Sequence, residues 1–145
     1  MYRYAIFADY MKNKIFITLV LLLINNSIIQ AQGAINLDFL PQTKTENGIN
    51  FSKSVFSDSL VSSSVICINK EVKLHKHLEH AEHVLVLEGE GEMRLGTEVF
   101  VIKKHDLIFI PKNTPHAVKT ISAIPLKVLS IQAPLFDGKD RVMLE

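Results

Sequence analysis

From residue 54 onward, apolar and polar positions alternate over short runs rich in Val, Ile, Leu and Phe, with turn residues recurring roughly every 8 to 12 positions. No helical periodicity is evident anywhere in the chain. The runs predict strands over Leu60–Asn69, Glu71–His77, His83–Glu88, Gly91–Leu95, Glu98–Ile102, Leu107–Ile110, His116–Thr120 and Leu126–Gln132. Turns between them are supplied by Gly89-Glu90-Gly91, Gly96-Thr97, Lys104-His105-Asp106 and Asn113-Thr114-Pro115. Many short strands at even spacing predict an all-β domain of sandwich, jelly-roll or barrel type over 54–145. Ahead of it, 32–53 is polar and turn-rich, with Pro41 and Asn47-Gly48, and reads as an N-terminal arm with room for one edge strand.

The first 31 residues follow another pattern. Lys12 and Lys14 precede an apolar run from Ile15 to Ile24, and Ala31 supplies a small residue ahead of a cut before Gln32. This is the layout of a secretory signal peptide. About ten uninterrupted apolar residues fall short of the roughly 18 to 20 that span a bilayer, which favours cleavage over a retained anchor. There is no Arg-Arg pair and no Cys at the cut, so neither the twin-arginine route nor a lipoprotein anchor is indicated. The expected location is periplasmic or secreted, and Met11-Lys12-Asn13-Lys14 offers a second place for the chain to start.

Removing that leader changes which chemistry remains. All three tyrosines, Tyr2, Tyr4 and Tyr10, lie within it, and the chain has no Trp. A tyrosine base or a Trp/Tyr stacking platform is thereby excluded from the mature protein. The 16 basic and 15 acidic residues fall to 13 and 14 once Arg3, Lys12, Lys14 and Asp9 are taken away. A nearly neutral domain with scattered cations has no field with which to hold a phosphate backbone, so nucleic acid is not an expected partner. The single cysteine, Cys67, sits in the apolar run Val65–Ile68 and reads as a buried small hydrophobe.

One constellation carries chemistry. His75 and His77 are two apart on an expected strand, so both imidazoles project to one face and can chelate. Glu82 follows across a possible turn, and His116 opens a later strand after Pro111 and Pro115. A single strand histidine is more commonly a surface or core residue. Together, three neutral imidazoles and a carboxylate form a mixed N/O set for a first-row divalent metal, with positions left for water or substrate. His80 is expected at the rim, Glu79 is a weaker candidate still, and His83 should point away from Glu82 to the surface. By parity Val84, Val86 and Val118 face inward with the ligands, and Met93, Leu95, Ile108 and Ile110 are further wall candidates, which predicts an apolar pocket.

The stretch His75-Lys76-His77-Leu78-Glu79-His80-Ala81-Glu82, followed after six residues by Gly89, resembles the first motif of the cupin superfamily, and Pro111-Lys112-Asn113-Thr114-Pro115-His116 resembles the second. The likeness covers about 73–119. It implies a small single-domain cupin barrel, the double-stranded β-helix of jelly-roll type, with His75, His77, Glu82 and His116 as metal ligands. Glycines usual in the family are replaced by Asn69, His105 and Asn113, and its closing Asn by Thr120; these are turn or supporting positions, and none is a ligand. The resemblance also implies a homodimer and a C-terminal tail from Ala133 that caps one mouth of the barrel. Two functions stay open. One is a metal-dependent enzyme, similar to the quercetinase-like dioxygenases or an isomerase, acting on a small organic substrate with Glu82 as acid or base through the metal. The other is a non-catalytic module that binds a small ligand or sequesters metal. For an imidazole-rich site filled outside the cytoplasm, Zn²⁺ or Cu²⁺ is favoured, with Mn²⁺, Ni²⁺ or Fe²⁺ as alternatives.

Overall fold

The computed structural model describes residues 33–40 and 50–145; the expected signal peptide and residues 41–49 of the arm lie outside the described residues. Ten strands are present: β1 Phe51–Ser57, β2 Ser62–Ile68, β3 Glu71–Lys76, β4 Ala81–Glu88, β5 Glu90–Leu95, β6 Glu98–Lys103, β7 Leu107–Ile110, β8 His116–Thr120, β9 Leu126–Ala133 and β10 Val142–Met143. They form two five-stranded sheets with the orders β1-β2-β9-β4-β7 and β10-β3-β8-β5-β6. All pairings are antiparallel. This is the all-β jelly roll that the sequence predicts. The expected strands are found within one or two residues, while β1 starts inside the segment read as an arm, and β10 lies in the tail. One 3-10 turn, Leu37–Phe39, is an element that the sequence pattern did not indicate.

Alternation decides what lies between the sheets. Ile68, Val86, Ile108, Ile110, Leu126 and Val128 from the first sheet meet Met93 and Ile102 from the second in one buried cluster. Each such side chain contributes about 1.5–3 kcal/mol by leaving water. The reversed parity appears on β7, where Leu107 and Phe109 face solvent between buried Ile108 and Ile110. Cys67 is fully buried in β2, in keeping with its apolar run.

Turn chemistry fixes where the strands begin. Gly89, between β4 and β5, has φ +78°, and a Cβ there would stand 2.6 Å from the Pro125 carbonyl oxygen, so the position admits only glycine without rearrangement. His105 and Asn113, two of the residues that replace a usual glycine, both adopt the left-handed region, at φ 77° and 59°. Asn tolerates this conformation well, and His105 takes it in an exposed two-residue turn. Lys127 on β9 is only 1% exposed, and its ammonium donates to the Leu37 carbonyl at 2.9 Å and pairs with Glu88 at 3.2 Å. The short N-terminal segment is thereby fastened to the first sheet.

A three-histidine centre bridging the sheets

Both sheets supply the candidate site. His75 is the penultimate residue of β3 and His116 begins β8, where the antiparallel register sets them directly opposite each other. His77 follows β3 by one residue, and Glu82 comes from β4 in the other sheet. All four side chains are buried. The three histidines each offer a ring nitrogen, these atoms lying within 4.8 Å of one another, an arrangement able to hold a metal ion. Glu82 Oε2 lies 3.7 Å from His77 Nε2 and 3.6 Å from His116 Nε2. The four residues singled out in the sequence thus converge.

Hydrogen bonds settle which nitrogen faces inward. His75 Nδ1 donates to the Lys73 carbonyl at 2.8 Å, and His116 Nδ1 donates to that of Thr114 at 3.0 Å. The Asp140 carbonyl takes the bond from His77 Nδ1. A carbonyl only accepts, so each Nδ1 carries the proton and each Nε2 keeps a lone pair, the tautomer that a metal ligand requires. His116 Nε2 is buried without any hydrogen-bond partner. An orphaned acceptor at the focus of such a donor set fits a divalent ion. Burial first, and then the nearby His116, pushes the His75 pKa down to about 4, which keeps that ring neutral.

Glu82 is anchored by Ser130, whose hydroxyl donates to Oε1 at 2.5 Å from the diagonal position on β9. Burial alone would raise the carboxyl, but the nearby His116 and the Ser130 bond outweigh it and hold it below its usual range. Ser130 was not among the sequence candidates. Parity with Val128 on the same strand is the signal that could have found it.

His80 departs from expectation. Instead of a rim position it has a buried one, 6% exposed. Its Nε2 bonds the Leu135 carbonyl at 2.8 Å, and its Nδ1 meets Asp140 Oδ2 at 2.5 Å. Both partners accept, so the ring bonds both fully only as an imidazolium, and its pKa is raised: burial opposes the charge, while the Leu135 carbonyl and Asp140 prevail. Neither nitrogen is left for a metal. His83 is exposed and stacks at 4.8 Å against Phe109 on the outer surface, as its parity predicts. Glu79 is exposed in the loop between β3 and β4, and only its backbone takes part.

Around the histidines lies a cavity of about 360 Å³. Val84, Met93, Ile110 and Val118 line it as expected; Val86, Ile108 and Leu95 instead belong to the core or pack against it, since parity assigns a side but not a depth. The wall is mainly apolar, with Asn50, Ser52, Ser64, Ser130, Gln132 and Arg141 as polar groups that the sequence reading did not place there. The tail closes one side. Phe136 packs edge-on against His77 and His80 at 5.4 and 5.3 Å, and β10 pairs Val142 with Lys76 and Met143 with His75.

Comparisons with known proteins agree with this architecture. Residues 65–132 match the family model described as Cupin domain. An uncharacterized protein of Methanocaldococcus jannaschii is 36% identical over 85 residues, which is 59% of this chain and 68% of that one. A mannose-1-phosphate guanylyltransferase of Salmonella muenchen is 36% identical over 67 residues, 46% of this chain but only 14% of the enzyme. Among solved structures, a conserved protein with a double-stranded β-helix domain from Klebsiella pneumoniae superposes with a TM-score of 0.64 at 20% identity, covering 77% of this chain and 96% of that one. A protein of Thermus thermophilus gives 0.63 at 24% identity over 70% and 96%. At such identities the likeness concerns the fold.

Proposed function

The chain belongs to the cupin family, and we propose that it is a metal-dependent member in which His75, His77, Glu82 and His116 hold one divalent transition metal, Zn²⁺ or Cu²⁺ ahead of Mn²⁺, Ni²⁺ or Fe²⁺. The observation that carries this is the set of three buried rings with every Nδ1 tied to a carbonyl and His116 Nε2 without a partner. The substrate is a small organic molecule held against the apolar wall, and the reaction resembles that of the quercetinase-like dioxygenases. A bound copper ion would supply redox and Lewis-acid chemistry. The chain's own part is to position and to exclude. Val84, Ile110 and Val118 keep water from the substrate body, Phe136 shields the face of His77, and Glu82, steadied by Ser130, is the group able to take or return a proton. Export through the N-terminal leader accompanies this reading, with a mature N-terminus near Gln32 that N-terminal sequencing of the native protein would show.

Metal analysis of the purified chain tests the proposal. His77→Ala and Glu82→Ala are expected to lose stoichiometric metal and His83→Ala to keep it; the opposite pattern refutes the ligand set. Oxygen consumption with a flavonol by the copper-loaded protein then tests the reaction. A second reading is a non-catalytic module that binds a small ligand or sequesters metal. It draws on the absence, among the described residues lining the cavity, of any acid or base beyond Glu82 and the histidines.

A further inference from the structure

Arg141 is the one Lys or Arg among the described residues that line the cavity. It is also unmatched. Glu82 has Ser130, Asp140 has His80 and Lys127 has Glu88, whereas the Arg141 guanidinium has neither an ion pair nor a hydrogen-bond partner among the described residues. Its position is nonetheless set. The Asp140 carbonyl is bound by His77 on one side, and Val142 pairs with Lys76 on β3 on the other, so the backbone at 141 is pinned to the strand that carries the site. A partly solvated guanidinium thus stands at the mouth of an apolar cavity, close enough for the Glu82 charge to act on it.

A guanidinium presents N–H donors in a planar fork that matches the two oxygens of a carboxylate. The walls behind it are mainly apolar, with Ile66, Val72, Val84 and Ile110 outweighing the uncharged polar Ser64, Ser130 and Gln132. At about 360 Å³ the space lies at the small end of ligand sites. We propose that the ligand is a small organic carboxylate with an apolar body, and that Arg141 determines this specificity by receiving the carboxylate at the mouth. The proposal rests on the cavity being the ligand site, as argued above, and adds the chemical class of its occupant.

The test is calorimetric titration of the purified chain, metal-free and Zn²⁺-loaded, with benzoate and cinnamate and with their neutral amides. The acids are expected to bind at least about tenfold more tightly than the amides. Arg141→Gln should weaken the acids by about tenfold or more while leaving the amides within about twofold, and Arg141→Lys should restore part of the loss. Equal zinc content across the variants shows that the centre itself is intact. Equal weakening of acids and amides, undiminished acid binding in Arg141→Gln, or no acid binding in either form of the chain overturns the proposal. Failure to take up Zn²⁺ refutes the metal reading alone, because the preference for acids in the metal-free chain still decides the role of Arg141.

Discussion

Replacing Asp140 by Ala should loosen the closure of the site more than any other single change in the tail. The carboxylate accepts four hydrogen bonds: from the backbone N–H groups of Leu78 and Glu79 at 2.8 Å each, from that of His80 at 3.1 Å, and from His80 Nδ1 at 2.5 Å. Leu78 and Glu79 are exposed, so water replaces the lost acceptor and little is forfeited there. His80 is buried, and its N–H and imidazolium would be left without the anion that matches them. Stranding a buried donor costs about 1–3 kcal/mol, and more when it is charged, which places the whole effect at about 2–4 kcal/mol. That is a large share of the roughly 5–15 kcal/mol that holds a typical domain together. The backbone carbonyl that orients His77 remains in the variant but sits on a released tail. Zinc affinity, measured by competition with a chelator, is therefore expected to fall about tenfold, in the range seen when a support behind a ligand is removed. Urea denaturation gives the stability change. A loss under 1 kcal/mol with unchanged zinc affinity would refute the view that Asp140 clamps the loop between β3 and β4.

Other outcomes follow from separate parts of the molecule. His105→Gly should raise stability by about 0.5–1 kcal/mol in thermal or urea denaturation, since glycine removes the side-chain penalty at φ 77° and returns only part of it as unfolded-chain entropy. Lys127→Ala should destabilise by about 2–4 kcal/mol, and Lys127→Met by clearly less, because the methionine refills the volume while Glu88, a third exposed, reaches water; equal losses in the two variants would contradict this. Asp58 accepts the N–H groups of Leu60 and Val61, which hold its carboxyl below the usual range. A depressed folded pKa gives stabilisation that is present above the unfolded value near 3.8 and is lost as pH falls through the folded one. The gap between wild type and Asp58→Ala should accordingly be full at neutral pH and close below about pH 4.

The barrel strands were legible because their apolar residues recur every second position and stop at Gly, Pro and Asn. β1 was less so: in Phe51-Ser52-Lys53-Ser54 the outer positions are polar and the strand is an edge, so its pattern resembles that of a loop. β10 has only two residues and exists because the tail pairs with β3, which no local pattern encodes. The histidines and Glu82 were found by spacing, since period-2 geometry and a short turn bring them together. Ser130 offers only its parity with Val128 on β9, and Arg141 carries no spacing signal. The fate of His80 depended on Asp140, a partner 60 positions along the chain, so sequence alone left it among the bystanders of the motif.

The tail has one more implication, concerning how such a molecule changes its trade. The groups able to hold an ion come from 75–116, inside the barrel, whereas Phe136, Asp140 and Arg141, which shape the entrance, come from the last dozen residues. What could grip an ion and what would greet a ligand are thus written in separate stretches of text. Grafting a different tail onto the same strands would re-address the chamber while leaving its engine in place, provided that the new segment still brings a carbonyl to His77 and an anion to His80.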